Sequence, residues 1–358
     1  MINVTKTYLP NKEKYKKYID DIYNRGWITN GGPMVKKLEE RLAKYLGVKN
    51  IVLVANGTVA LEVAYRTLKV TDYAITTPFS FVATTSSLVT NNIKPIFADI
   101  DPKTLNMDPT NLESLITPNT SAIIPVHVFG NVCDIEAIDV VAKKHNLKVI
   151  YDAAHAFGIR YKNQSILNYG DISTLSFHAT KLFHTIEGGA LIINDDELVQ
   201  KAKYLINFGI KNTESIPELG TNAKMNEFEA AMGLCVLDEI EEILYERKTV
   251  YKKYEEGLKG FVQFQKLNND AIYNFSYFPI ILNDEIQALK VQKALNDRQI
   301  FPRRYFYPSL DTLNYVEPKQ YCPLSRDIST RILALPIYPE LTITEQEVII
   351  DVVKEAII

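Results

Sequence analysis

The chain has 358 residues, 46% of them hydrophobic and 23% charged, with a formal net charge of −3; that is enough to bury a large core and a second domain, and it leaves no basic field of the kind nucleic-acid binding requires. No run approaches the roughly 20 apolar residues of a membrane helix and the opening stretch Met1 to Tyr8 has no apolar signal core, so the expected setting is cytoplasmic, without a membrane partner. Cys133, Cys235 and Cys322 are odd in number and far apart, which suits neither a disulfide framework nor a metal site, and no metal is expected.

In chain order, a first helix is expected over Val35 to Leu46, with Val35, Leu38, Leu42 and Leu46 on one side and Gly47 at the C-terminal cap position. Ile51 to Val54 reads as a buried strand that turns through Ala55-Asn56-Gly57-Thr58 into a helix presenting Ala60, Leu61, Ala64 and Leu68 on one side. Backbone amides at such a helix start, with a glycine for close approach and a hydroxyl beside it, make a phosphate site, so Gly57 and Thr58 are the phosphate candidates. A strand from Tyr73 to Thr77 runs into Pro78-Phe79-Ser80-Phe81, where Phe81 is placed to lie flat on a cofactor ring. Further strands are expected over Pro95 to Asp99, Ser121 to Val128, Lys148 to Asp152, Thr174 to Phe177 and Ala190 to Ile193. Apolar runs alternating with helical periodicity predict an α/β fold, a mostly parallel seven-stranded sheet with helices on both faces.

No linker rich in Pro, Gly or Ser separates domains. The boundary is placed near residue 240, within the polar helical stretch Leu237 to Lys259, giving a large domain over 1–240 and a smaller α+β domain over 241–358 with a strand at Tyr277 to Leu282 and a helix at Glu285 to Asp297. The second domain carries Phe301-Pro302-Arg303-Arg304-Tyr305-Phe306-Tyr307-Pro308. Arg303 and Arg304 among aromatics suit a nucleotide diphosphate by charge and a base or sugar by stacking; the competing reading is a solvated pair beside packed rings.

Two strand ends carry chemistry. Lys148 to Asp152 closes in Asp152-Ala153-Ala154-His155, and Ser176-Phe177-His178-Ala179-Thr180-Lys181 is followed by Glu187-Gly188-Gly189. A lysine able to form a Schiff base and an acid able to keep a pyridine nitrogen protonated are what pyridoxal 5'-phosphate requires. Asp152 fits the acid, and Lys181 fits both the Schiff base and, once displaced, the carrier of the reacting proton.

With these blocks in order, the chain resembles the DegT/DnrJ/EryC1/StrS sugar aminotransferases, whose fold is that of aspartate aminotransferase (type I). The resemblance also runs through Gly26-Trp27-Ile28-Thr29-Asn30-Gly31-Gly32, Phe97-Ala98-Asp99-Ile100, Pro125-Val126-His127-Val128-Phe129-Gly130 and Gly220-Thr221-Asn222-Ala223-Lys224-Met225-Asn226-Glu227. It implies Lys181 and Asp152 as the catalytic pair, Phe81 stacked on the cofactor, His155 at its phenolic oxygen, and Gly57, Thr58 and Ser176 at its phosphate. It also implies Asn222 completing the phosphate site of a second subunit, hence a homodimer with shared sites. Thr29, His184, Arg303 and Arg304 are the substrate-binding candidates, with His178 ranked after His184. Asn56, where serine is usual, and Ile186, where many members have glycine, depart from the pattern.

The activity so implied moves an amino group from L-glutamate to the C-4 keto group of a dTDP-4-keto-6-deoxyhexose. The expected case is dTDP-4-keto-6-deoxyglucose, giving a dTDP-4-amino-4,6-dideoxyhexose for surface polysaccharide such as O-antigen. Alternatives are amination at C-3 of a 3-keto isomer, a UDP- or GDP-linked 4-keto sugar, a dehydratase, which the retained lysine disfavours, and a non-catalytic regulator on the same fold.

Overall fold

Seven apolar runs become the strands of one sheet in the computed structural model, which describes all 358 residues. They are β1 (Ile51–Val54), β2 (Tyr73–Thr76), β3 (Lys94–Phe97), β4 (Thr120–Ile124), β5 (Lys148–Asp152), β6 (Ile172–Ser176) and β7 (Gly189–Ile193). Their order is β1-β7-β6-β5-β4-β2-β3. All neighbours are parallel except β7, which runs antiparallel to both β1 and β6. Alternation along each strand feeds two separate cores: Ile51, Leu53, Ile75, Ile123 and Val149 pack on one face, Val52, Val54, Ala74, Ala122 and Ile150 on the other. Burial on both faces is why these strands read as unbroken apolar runs.

The helix Gly57–Leu68 starts where the sequence places it, with the Asn56 side chain accepting the Val59 amide at 2.9 Å as the N-terminal cap. The helix Pro33–Leu46 buries Val35, Leu38, Leu42 and Leu46 and ends at Gly47, whose φ of 66° is the left-handed cap conformation. Its first free amides, of Met34 and Val35, are satisfied from a distance by the buried carboxylate of Glu227 at 2.9 and 3.0 Å.

The fourth strand is shorter than its apolar run. It stops at Ile124 because Pro125 has no N–H for the ladder, and residues 128–130 instead form a tight turn in which Phe129 takes φ 56°. The expected strand at Thr174 to Phe177 lies at Ile172–Ser176, and the helical stretch placed over Leu237 to Lys259 is two helices, Glu227–Asp238 and Ile240–Leu258.

The second of these joins two cores: Ile240 and Ile243 belong to the first, Val250, Tyr254 and Leu258 to a separate cluster nearer the C-terminus. That cluster sits under an antiparallel sheet of Gln263–Phe264, Phe278–Ile281 and Ile332–Leu335, covered by the helices Glu285–Asp297 and Ile343–Ile357. Residues 2–3 leave the N-terminal body and pair in parallel with Ile300–Phe301. No helix is long and apolar enough to cross a membrane.

Candidate active site

In an open α/β sheet the carboxyl ends of the strands meet in a crevice. Here the ends of β1, β5 and β6 and the loop before β7 wall a cavity of about 310 Å³, closed on the far side by Tyr277, Arg303, Tyr305 and Phe306 from the C-terminal layer. Gly57, Thr58, Phe81, Asp152, His155, Ser176 and Lys181 all line it. Residues spread over 125 positions of sequence are thus gathered by the five connections that lead from β1 to β6 of one sheet.

Asp152, only 6% exposed, ends β5. Its Oδ2 accepts the Thr84 hydroxyl at 2.7 Å and its Oδ1 the Ala154 amide at 3.1 Å. Burial pushes the carboxyl above its ordinary range, against the pull of those two donors and of the Lys181 charge. His155 is also buried, and burial holds its imidazole well below the ordinary range. Its Nδ1 accepts the Phe129 amide at 3.2 Å, so the ring proton of the neutral form sits on Nε2. The left-handed turn at Phe129 is what aims that amide. His155 stacks within 1° of parallel on Phe306 at 5.8 Å.

Gly57 shows why a glycine begins the helix after β1: a Cβ there would stand 2.8 Å from Ser176 Cβ and 3.2 Å from Ser176 Cα. Its absence brings the helix amides up against the end of β6. Phe81, half exposed, caps the helix Val82–Thr90 at the cavity mouth. Lys181 follows a turn closed by its own amide to the His178 carbonyl at 2.8 Å, and its Nζ donates to the Tyr277 hydroxyl at 3.2 Å.

The other candidates divide. Arg303 lines the cavity with its guanidinium 4.7 Å from the Tyr305 ring centre, whereas Arg304 turns away to Glu285 at 2.7 Å and the Thr330 carbonyl at 2.8 Å. His184 lies outside the cavity: it is 1% exposed, its Nε2 donates to the Tyr8 carbonyl at 2.7 Å and its Nδ1 accepts the Ile186 amide at 3.2 Å. His178, ranked after it, lines the cavity beside Glu187 at 3.5 Å. Thr29 and Asn222 are exposed and lie outside the cavity, the Asn222 amide oxygen accepting from Lys224 at 2.9 Å.

Sequence reasoning did not single out Tyr277, Glu187, Thr84 or Phe306. Tyr277 and Phe306 carry the composition of core segments, and Thr84 is a helix residue whose only signal is its distance in the fold, not in the chain, from Asp152.

The model of the DegT/DnrJ/EryC1/StrS aminotransferase family matches residues 10–354. The chain belongs to this family. Among curated relatives, the dTDP-4-amino-4,6-dideoxy-D-glucose transaminase of Shigella dysenteriae is 44% identical, the alignment covering 99% of this chain and 98% of that protein. The Escherichia coli protein of the same name is 36% identical, with 99% and 97% covered. Among solved structures, DesI in the presence of its TDP-sugar product superposes with a TM-score of 0.94 at 30% identity, covering 99% of this chain and 93% of that one.

As a member of this family the chain is a pyridoxal-phosphate-dependent aminotransferase of type I fold. The cavity fits that cofactor on its own evidence. A buried carboxyl raised by burial is a partner for a protonated ring nitrogen, the space a Cβ of Gly57 would close leaves amides free for a phosphate, and a lysine amine faces the same volume.

Proposed function

We propose that this aminotransferase takes an amino group from L-glutamate and delivers it to the C-4 keto group of dTDP-4-keto-6-deoxyglucose, giving a dTDP-4-amino-4,6-dideoxyhexose for surface polysaccharide, as a cytoplasmic homodimer. The observation that carries the reading is the Lys181 amine and the Asp152 carboxyl facing one cavity in a chain 44% identical, end to end, to a transaminase of that sugar.

Pyridoxal phosphate, when bound, supplies the electron sink that acidifies the carbon–hydrogen bond of the amino donor. Lys181 Nζ holds and moves the proton between the two carbons that exchange it. Asp152 would be the carboxylate that holds a proton on the ring nitrogen, and its Thr84 and Ala154 donors fix its carboxylate in place. His155 offers an Nε2–H donor in a site where burial keeps it from becoming a competing cation. Gly57 and Thr58 present the helix start to the phosphate, with the Ser176 hydroxyl beside them, while Phe81 covers the mouth. Arg303, stacked on Tyr305, is the guanidinium for the nucleotide diphosphate.

Asn222 is proposed to reach the phosphate of the opposite subunit, which agrees with its exposure and its place outside its own chain's cavity. A dimer assembled from a Lys181→Ala chain and an Asn222→Ala chain then regains activity that neither homodimer has; a verified mixed dimer without activity counts against sharing.

The test of substrate offers the protein pyridoxal phosphate and L-glutamate with dTDP-4-keto-6-deoxyglucose or its 3-keto isomer, with product mass and regiochemistry read by NMR. A 4-amino product with wild type and none with Lys181→Ala is expected. Amination of the 3-keto isomer alone, or of UDP- or GDP-linked sugars alone, refutes the assigned substrate.

A further inference from the structure

The C-terminal layer contributes a phenol to the reacting amine. Tyr277 stands 96 residues beyond Lys181, yet its hydroxyl is the hydrogen-bond partner of Lys181 Nζ at 3.2 Å, and that amine is the hydroxyl's one hydrogen bond. The ring is held firmly: its centre lies 4.7 Å from His155, 5.4 Å from Phe129 and 5.9 Å from Tyr305. Behind it sits Arg247, 3% exposed and paired with no carboxylate. Its Nη1 donates to the carbonyls of Ser276 and Ile337, both at 3.2 Å, and its Nε has no partner. A buried cation without a counter-ion is costly. Its hydrogen bond to the Ser276 carbonyl fixes the residue that precedes Tyr277.

We propose that Tyr277 is a further catalytic residue of amino transfer, its hydroxyl partnering the Lys181 amine in both of that amine's protonation states, and that Arg247 is the positioning residue that holds the phenol in place. A hydroxyl both donates and accepts. When Lys181 has taken a proton from carbon, its ammonium donates to the phenol oxygen. When it has returned the proton to the second carbon, its neutral amine accepts the phenol O–H. The phenol gains and loses no proton over the cycle, so the balance remains one proton moved from carbon to carbon. The amine meanwhile never swings away from the cavity to find water. The other titratable and charged groups of the cavity wall are the Asp152 carboxyl, the neutral His155 imidazole, the Arg303 guanidinium, the Tyr305 phenol and the His178–Glu187 pair.

The inference rests on the reading of Lys181 as the reacting amine, and the two fail separately. Native turnover by Lys181→Ala removes that reading; the test of Tyr277 begins on the cofactor-free protein. Tyr277→Phe keeps the ring contacts and removes only the hydroxyl, so it is expected to fold. The rate at which 2,4,6-trinitrobenzenesulfonate labels Lys181 at neutral pH, followed by peptide mass spectrometry, reads how readily the amine reacts. Hydrogen bonds to a charged group are the stronger, so loss of the hydroxyl penalises the ammonium more than the amine. Labelling of Lys181 is therefore expected to speed up roughly 10-fold in Tyr277→Phe, and in part in Arg247→Lys. In the loaded protein, the single-turnover rate with L-glutamate is expected to fall about 10- to 100-fold with little change in the half-saturating glutamate concentration. An unchanged labelling rate together with an unchanged single-turnover rate in Tyr277→Phe overturns the proposal. An Arg247→Lys protein that loses stability but keeps both readouts overturns the role given to Arg247.

Discussion

Adding one methyl group at Gly57 perturbs the phosphate cradle at a place where the geometry gives the size of the effect. The Cβ of Gly57→Ala would stand 2.8 Å from Ser176 Cβ, 3.1 Å from its Oγ and 3.2 Å from its Cα. Relaxed carbon contacts begin at about 3.5 Å, so the helix start must retreat from β6 by roughly 0.7 Å. β6 itself is hydrogen-bonded on both sides by β5 and β7 and does not yield. Overpacking of this kind costs about 1–3 kcal/mol, offset by about 0.4–1 kcal/mol from the stiffer unfolded chain, for a net destabilisation near 1–2 kcal/mol. The same retreat draws amides away from a dianionic ligand. Charge-assisted hydrogen bonds contribute about 1.5–3 kcal/mol each, so weakening one lowers affinity for pyridoxal phosphate roughly 10- to 100-fold. Urea unfolding of the cofactor-free protein and equilibrium dialysis of the cofactor read the two effects. Ser176→Gly in the same chain removes the two nearest of the three clashing atoms and restores most of the stability. Wild-type stability and affinity in Gly57→Ala, or no recovery in the double variant, would refute the reasoning.

Asp152→Asn preserves the shape of a side chain held by Thr84 and Ala154 but removes the charge opposite the ring nitrogen, so single-turnover amination of the cofactor by glutamate is expected to slow on the order of 100-fold or more; a wild-type rate would exclude Asp152 from the chemistry. Ile186, a β-branched residue at φ 73°, is 45% exposed; because any Cβ is strained there by about 1–2 kcal/mol, Ile186→Gly is expected to be more stable than Ile186→Ala, the reverse of the usual order, and thermal unfolding of the pair decides it. His127, His155 and His184 are all buried with their basicity lowered by burial, His127 to about 3. A folded value below the unfolded one means protons bind the unfolded chain first, so this contribution to stability is complete above about pH 6.5 and is lost as pH falls below it, with a slope approaching about 2.7 kcal/mol per pH unit from His127 and His155 and a further part from His184. The opposite shift of Asp152 adds stability only at acid pH. Urea midpoints from pH 7.5 to 5 measure that slope, and a flat profile would contradict it.

The sheet and the cofactor face of the site were legible because both rest on local signals: apolar runs of strand length, and chemistry at the residue where each run ends. Lys181, Asp152 and Gly57 stand where strands stop. The substrate side was not legible in the same way, because it depends on which direction a loop side chain takes. Arg303 and Arg304 are the clearest case. Adjacent residues in near-extended backbone point to opposite sides, and one enters the cavity while the other meets Glu285. His178 and His184 bracket the lysine equally in sequence, but the turn after β6 sends the second inward to the Tyr8 carbonyl. Tyr277 was hidden by its surroundings: Phe275-Ser276-Tyr277-Phe278 has the composition of an ordinary core strand, and only the docking of the C-terminal layer brings its hydroxyl to Lys181.

The first residues of the chain behave as a stay between the two bodies. The Ile2 amide is bonded to Gln299 at 2.8 Å in the C-terminal layer, Thr5 passes along the cavity wall, and Tyr8 is anchored to the N-terminal body through the His184 ring and, by its hydroxyl at 2.7 Å, through Glu239. The five residues between these ends, six Cα steps, reach at most about 20 Å. Any swing that parts the layers to admit a nucleotide-linked sugar is therefore bounded by this length, and lengthening the stay with glycines between Lys6 and Thr7 would loosen the mouth without altering a residue that touches the reacting amine.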